Sequence, residues 1–429
     1  MKYYSLNNKQ HKTNFQEAVF QGLAPDSGLY FPEKIEPLPS SFFNNIDQLS
    51  NTEIAFEAIK QFVGNEIPEN NLKEIINQTL SFDFPVINIQ NNIYSLELFH
   101  GPTMAFKDVG ARFMSRCLEF FNKNTSKKSV VLVATSGDTG GAVANGFLGN
   151  QNIEVVILYP KGKVSDFQER QLTTLGQNIR AIAINGSFDD CQAIVKKAFV
   201  DSDLKQKNLT SANSINIARW LPQMFYFFFA YKALKNENKS ILISCPSGNF
   251  GNVCAGVLAK KLGLPISHFA ASTNLNDTVP RFMQSGIYEP KSTIPTISNA
   301  MDVSDPSNFI RIRELYNDDL KEFVKEFSSY SYSDEETKKA IQFVYRNYNY
   351  VMDPHGAVAY LGLKEELQNH SDAVGVFLET AHPIKFEETV NETLRITIDF
   401  PENVKSILSK EKVITVCNNY EEVKDFLMN

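Results

Sequence analysis

From Val86 onward, short apolar runs alternate with stretches of helical spacing, and each run is followed by a loop of small or polar residues. That is the pattern of a strand, a turn and a crossover helix, repeated. It predicts strands over 93–98, 130–134, 155–159, 179–184, 241–245 and 374–378, and hence an α/β fold. Residues 1–92 read as an opening segment of different pattern. Pro32, Pro37 and Pro39 punctuate an extended or turn stretch, and 52–62 and 70–80 carry helical spacing with Asn or Thr at the expected caps. The strand-and-helix pattern then divides into two consecutive stretches, 93–215 and 216–429, with no flexible linker or low-complexity tract between them.

Two strand-turn-helix units resemble each other at an offset of 111 residues: Ser136, Gly137, Gly140 and Ala144 correspond to Ser247, Gly248, Gly251 and Ala255. The coincidence fits either the general look of any glycine turn or two related α/β halves that hold ligands between them at the carboxyl ends of their strands. The most apolar stretch, 220–234, contains Pro222, Gln223 and Lys232 and falls short of the ~20 residues that span a bilayer. Its Phe225, Phe227, Phe228 and Phe229 are therefore expected in a buried helix.

Composition narrows the function classes. A chain of 429 residues with 43% hydrophobic and 21% charged positions is neither disordered nor collagen-like, and it is long enough for about two or three domains. A net charge of −7 without a basic block excludes a dedicated nucleic-acid or anionic-membrane binder, so any anion must meet local positive groups. The five cysteines, Cys117, Cys191, Cys245, Cys254 and Cys417, show no C-x-x-C spacing, and residues 1–21 lack the apolar run of a secretion signal. Both point to a cytoplasmic protein with reduced, buried thiols.

The chemistry lies in the loops. Ser247, Gly248, Asn249, Phe250, Gly251 and Asn252 fall between a predicted strand and a helix, where small residues let backbone amides approach an anion at the helix amino end. The run is neither a P-loop nor a dinucleotide fingerprint, and it reads as a phosphate cradle or a plain tight turn. Ser136, Gly137, Asp138, Thr139 and Gly140 are placed in the same way. A carboxylate beside an anion is repulsive, so Asp138 either caps the helix, the reading favoured by position alone, or orients a polar group of a ligand. Lys107 closes the run His100 to Phe106 and opens a helix whose apolar stripe is Val109, Phe113, Cys117 and Phe120 or Phe121. The helix dipole there favours a neutral amine, the form that attacks a carbonyl to make a Schiff base. With the cradle, this suggests pyridoxal phosphate. Thr380, after the strand 374–378, is placed to hydrogen-bond a ring nitrogen or simply to end a turn, and His382 is a loop histidine nearby.

At these residues the sequence resembles the threonine synthase family, within the β-family (fold type II) of pyridoxal-phosphate enzymes. The resemblance runs through LELFHGPTMAFKD at 96–108, ATSGDTG at 134–140, ILYPKGKVS at 157–165, SANSINIAR at 211–219, PSGNFGN at 246–252, NDTVPRF at 276–282, SNAMDVSDPSN at 298–308 and TAHP at 380–383. Residues 401–429 carry no motif. The resemblance implies two open twisted sheets flanked by helices, like tryptophan synthase β, with an N-terminal mostly helical segment. It further implies that Lys107 joins the cofactor, that Ser247 to Asn252 hold its phosphate, that Thr380 faces the pyridine nitrogen, and that Asp138 lies against the cofactor. Ser136, Gly137, Thr139, Asn216 and Lys163 are then expected to bind substrate, with Lys161 and Arg112 as further candidates for its phosphate, and no metal is expected. The implied reaction converts O-phospho-L-homoserine and water to L-threonine and phosphate. The competing readings are a threonine or serine dehydratase, a cysteine synthase-like lyase, and a non-catalytic binding protein on the same fold. The last is disfavoured by the presence of Lys107.

Overall fold

The structure is a computed structural model and describes residues 1–123 and 128–429. The backbone divides into two compact units, each discontinuous in sequence. One comprises Met1, Phe31–Phe106 and Trp220–Ile398; the other comprises Lys2–Tyr30, Lys107–Arg219 and Asp399–Asn429. The local pattern suggested three consecutive stretches instead. A pattern read along the chain cannot show that a late segment returns to an early one.

The first unit is built on a six-stranded sheet in the order Phe327–Ser331, His268–Thr273, Ile241–Pro246, Val374–Glu379, Ile93–Glu97 and Val86–Gln90. All neighbours are parallel except the last pair, whose antiparallel register shifts between Asn88 and Gln90. The three strands over 241–246, 268–273 and 374–379 are buried at every position, as expected for parallel strands covered on both faces. The helix Pro354–Asn369 packs on those three strands. Elsewhere in the unit, the stretch expected as buried helix forms a short 3-10 turn, Leu221–Met224, and the helix Phe225–Leu234. Phe225, Phe227 and Phe228 are fully buried. Phe227 meets Phe269 edge-on at 5.7 Å, and Phe228 stacks on Phe43 at 6.4 Å.

The second unit carries a five-stranded parallel sheet in the order Thr415–Cys417, Ile179–Ile184, Ile153–Pro160, Ser129–Ala134 and Leu209–Ser211. Its helix Lys107–Asn122 packs on Asp138–Phe147, and Phe15–Gln21 packs on Lys107–Asn122 and on the strand Leu209–Ser211. The motif-free end of the chain supplies the edge strand Thr415–Cys417 and the helix Tyr420–Met428, whose Val423 and Leu427 join the core around Ile182 and Val195.

All six expected strands are present within about two residues of their expected ends. The pattern passed over His268–Thr273 and Phe327–Ser331, which read HFAAST and FSSYS and lack an apolar run. The two early helices are Asn51–Val63 and Glu69–Thr79, but neither is capped by Asn or Thr. Ser50 caps the first in a reciprocal box with Glu53, and Pro68 precedes the second without a side-chain cap. All five cysteines are free and buried, and no helix among the described residues is long and apolar enough to cross a membrane.

Gly256, inside the helix Gly251–Lys261, faces two rings: an added Cβ would stand 2.7 Å from Phe269 Cε1 and 2.8 Å from Phe227 Cζ. Gly256→Ala gains about 1 kcal/mol of helix propensity but overpacks rigid aromatic groups, which costs about 1–3 kcal/mol. The expected outcome is a net loss of stability, read as a lower urea midpoint at unchanged slope; an equal or higher midpoint would show that the aromatic cluster yields.

Candidate active site

In the first unit, three adjacent parallel strands end at one edge of the sheet, and each is followed by a loop singled out in the sequence. Ile241–Pro246 leads into the glycine turn, Val374–Glu379 into Thr380 and His382, and Ile93–Glu97 into the His100 to Phe106 loop. The last two loops are stitched together by backbone. Leu98 N–H donates to the Glu379 carbonyl at 2.9 Å, Phe106 N–H to the Thr380 carbonyl at 2.9 Å, and His382 N–H to the Met104 carbonyl at 3.0 Å. Ala105 and Ala381 form an antiparallel bridge, and the buried Lys385 Nζ donates to the Thr103 carbonyl at 2.8 Å. The residue that leaves this clamp is Lys107.

The glycine turn is held from two directions. Ser247 N–H donates to the Ser272 carbonyl at 2.8 Å, and the Asn249 Oδ1 accepts from Ser307 N–H at 2.6 Å. Gly248 lies so close to the 298–308 loop that a Cβ would stand 2.6 Å from Met301 Cα. Phe250 takes the left-handed conformation, φ 59°, and serves as N-cap of Gly251–Lys261. A phenyl ring accepts no amide hydrogen bond, so the amino end of that helix has no cap side chain of its own. Asn252 Oδ1 accepts from Tyr226 at 2.7 Å, whereas its Nδ2 is buried without a partner. An anion with several acceptor oxygens matches that set of donors, and a pyridoxal phosphate group therefore fits the turn.

Two carboxyl groups accompany these loops, Asp302 half-buried and Glu379 fully buried. Asp302 braces the 298–308 loop by accepting from Asn274 Nδ2 at 2.9 Å, Thr296 N at 3.1 Å and Thr296 Oγ1 at 2.8 Å. Burial pushes its carboxyl from 3.8 up to about 6, against the lowering effect of those bonds. Glu379, beside Thr380, is fully buried, and burial together with Asp353 holds its carboxyl well above the usual range. His382 packs edge-on against Phe99 at 5.2 Å and accepts from Ile384 N–H through Nδ1 at 3.2 Å. Burial, then His100, moves its pKa down.

In the second unit, Lys107 opens the helix Lys107–Asn122, as its sequence position implied. Its Nζ lies 4.0 Å from Asp138 Oδ2, and the two side chains are 17% and 4% exposed. Asp138 does not cap its helix. Gly137 is the cap residue, and Asp138 Oδ1 accepts from Gln168 Nε2 at 3.0 Å. Gln168 is itself fixed, because its Oε1 accepts from Ser165 N–H at 3.1 Å in a capping box. Lys107 thus has a counter-charge that the dipole argument lacked. Thr135, which the sequence reading did not single out, shapes the loop: its Oγ1 accepts from Gly137 N–H at 2.9 Å and Gly140 N–H at 2.8 Å. Ser136 and Thr139 are half-buried on that loop.

Asn216 differs from its expected role. It is fully buried, its Nδ2 donates to the Val19 carbonyl at 2.8 Å and the Ser211 carbonyl at 3.1 Å, and its Oδ1 accepts from Ala218 N–H at 3.0 Å. Both ends of the amide are spent on backbone, which makes it a brace for the 211–218 turn. Lys161 and Lys163 are exposed after the strand Ile153–Pro160. Burial, then Arg116, lowers the pKa of Arg112 on the Lys107 helix.

Comparison with known proteins places the chain in a family. Residues 82–379 match the family described as pyridoxal-phosphate dependent enzyme, residues 2–80 match the threonine synthase N terminus, and residues 356–427 match the C-terminal region of threonine synthase. The chain is 44% identical over 434 residues to a threonine synthase of Buchnera aphidicola subsp. Baizongia pistaciae, with all of both chains covered. The crystal structure of threonine synthase from Escherichia coli superposes with a TM-score of 0.94 at 42% identity, covering 100% of both chains. A pyridoxal-phosphate-bound threonine synthase from Brucella melitensis superposes with a TM-score of 0.94 at 32% identity, covering 100% of this chain and 98% of the other.

Gly248→Ala forces the turn away from Met301, so the expected result is at least about a tenfold loss of pyridoxal phosphate affinity, which corresponds to 1.4 kcal/mol, with a smaller change in apo-protein stability. Equal affinities by fluorescence titration would show that the turn does not need this close approach. Asp302 supplies a pH test. Its folded-state pKa is raised, so between about pH 4 and 6 the folded chain holds a proton that the unfolded chain has released, and stability falls as pH rises through that window. Relative to Asp302→Asn, the wild type should lose stability across it; parallel urea-midpoint profiles would contradict the assignment.

Proposed function

Because the chain belongs to the threonine synthase family of pyridoxal-phosphate-dependent enzymes, we propose that it converts O-phospho-L-homoserine and water into L-threonine and inorganic phosphate. The observation that carries this reading is Lys107. It is delivered by a loop bridged to Ala381, opens a helix, and is paired with a buried carboxylate at 4.0 Å. An amine placed there can move protons, and can join a carbonyl once it has lost its own proton.

When bound, the cofactor supplies an electron sink for chemistry at the substrate's carbon atoms. The chain supplies the rest. Lys107 holds the cofactor and, when the substrate amine takes its place, carries protons at Nζ between substrate carbons. Asp138, fixed by Gln168, keeps Nζ oriented. The amides of Gly248 to Asn252 would hold the cofactor phosphate, and the Thr380 hydroxyl would serve as hydrogen-bond partner for the pyridine nitrogen. Ser136, Gly137 and Thr139 bind the amino-acid end of the substrate, whose phosphate leaves from the γ-carbon while water adds at the β-carbon. Lys163 remains the exposed cation assigned to that phosphate. Asn216 is assigned to shaping the loop. Free, buried cysteines support a cytoplasmic setting.

A dehydratase shares the lysine and the cradle, but the matches at 2–80 and 356–427 to threonine synthase regions favour the synthase. The test is to add O-phospho-L-homoserine to the pyridoxal-phosphate-loaded protein while following the visible cofactor band, phosphate and threonine. Phosphate and threonine are expected in equal amounts, and Lys107→Ala should lose the wild-type band and about 1,000-fold or more in turnover. A 2-oxo acid formed from threonine or serine without phosphate release would move the function to the dehydratase, and normal turnover by Lys107→Ala would overturn the role of that residue.

A further inference from the structure

The first unit carries a second cluster of chemically capable side chains, at the amino ends of its strands. His268, Glu366 and His370 each offer a ligand atom, and these atoms all lie within 4.8 Å of one another. His268 begins the strand His268–Thr273. Ser272, four residues further on, accepts from Ser247 of the glycine turn, so the cluster lies about 13 Å along the strand from the site described above. Glu366 and His370 sit at the carboxyl end of the helix Pro354–Asn369, His370 as its C-cap.

The geometry suits a small divalent cation. His268 Nε2 stands 3.4 Å from Glu366 Oε1, and His370 Nε2 stands 3.8 Å from Glu366 Oε2. Those two distances are to different oxygens of Glu366; ligands at ~2.0–2.2 Å from a tetrahedral zinc ion are separated by about 3.3–3.5 Å, so three ligand atoms that lie within 4.8 Å of one another need to draw together on binding. Both histidines turn Nε2 toward one carboxylate. A glutamate carboxylate is anionic at neutral pH in the ordinary case and can serve as a charged ligand. Tyr330 donates to Glu366 Oε1 at 2.7 Å, and Ser328 donates to the same oxygen. Such outer contacts orient a metal-binding carboxylate. The side chains of His268 and Glu366 are 10% and 5% exposed, whereas His370 is 46% exposed. The ion therefore has a way in and a side open to water.

We propose that His268, Glu366 and His370 form a zinc(II) site, completed by a water molecule, that ties the end of the helix Pro354–Asn369 to the strands His268–Thr273 and Phe327–Ser331. Two imidazoles and one carboxylate are a donor set that zinc accepts readily. The site is structural. Its distance from the glycine turn places it outside the chemistry of Lys107, and it stands whether or not the assigned reaction is correct.

The test uses pyridoxal-phosphate-loaded protein, stripped with a chelator, exchanged into buffer and titrated with zinc by calorimetry. The wild type should bind one zinc per chain at this site and unfold about 2 °C or more higher with excess zinc. His370→Ala removes a half-exposed ligand at a helix end without opening the core; it should lose tenfold or more in zinc affinity together with the thermal shift, while turnover without zinc is unchanged. Cobalt(II) provides a second reading: wild-type protein should show the visible bands of a tetrahedral ion, and Glu366→Gln should not. Failure of the wild type to bind zinc, or equal affinity in His370→Ala, would overturn the site, as would unchanged cobalt bands in Glu366→Gln.

Discussion

Parallel pairing of the strands Ile241–Pro246, Val374–Glu379 and Ile93–Glu97 is the constraint from which the candidate site follows. Strands that run in one direction side by side release their chains at one edge, whatever their order in sequence. Here that edge receives a glycine turn, a Thr-Ala-His-Pro loop and the loop that precedes Lys107. The pairing continues past the sheet as the Ala105 to Ala381 bridge and its flanking backbone bonds. The position of Phe106, the residue before Lys107, is therefore set by main-chain hydrogen bonds, which tolerate little displacement.

Around these loops the chain keeps its polar groups engaged with one another. Thr135 holds two amides of the Gly137 to Gly140 loop, Asn249 holds the 298–308 loop, and Asp302 ties that loop to Asn274 and Thr296. Burying such groups is tolerable because most of their hydrogen bonds are made within the protein. At the glycine turn, Asn252 Nδ2 and the amino end of the Gly251–Lys261 helix are donors left over. A turn with surplus donors on a braced frame is arranged to receive an anion without reorganising. Lys107 and Asp138 follow the same logic with opposite charges, since Gln168 and its capping box fix the carboxylate before any ligand arrives.

The six-stranded sheet also separates two kinds of chemistry by strand direction. Its carboxyl edge carries the loops of the assigned reaction, and its amino edge carries the His268, Glu366 and His370 cluster. The helix Pro354–Asn369 runs between those edges, with Asp353 and His355 at one end and Glu366 and His370 at the other. Polar side chains at both ends of one helix couple its seating to both edges, although its middle is held by apolar packing around Ala357, Tyr360 and Leu363.

Much of this was legible in the sequence, and the limits are physical. Strands with continuous apolar runs, the helix opened by Lys107, and the glycine turn before Gly251 are local features, and their residue types alone favour those conformations. His268–Thr273 and Phe327–Ser331 were not legible, because small and polar residues become strand only when neighbouring strands satisfy their backbone. Asp138 looked like a cap because its partners, Lys107 and Gln168, lie about thirty residues away on other elements. Asn216 looked like a ligand group for the same reason: the carbonyl of Val19 that claims it is distant in sequence. The sequence by itself determined the kinds of elements and the chemistry each loop carries, since propensity, turn residues and motif identity are local. Tertiary structure alone decided which strands stand side by side, which polar groups are spent on backbone, and which histidines meet at Glu366, because hydrogen bonds and burial between distant segments leave no mark on the pattern of either segment alone.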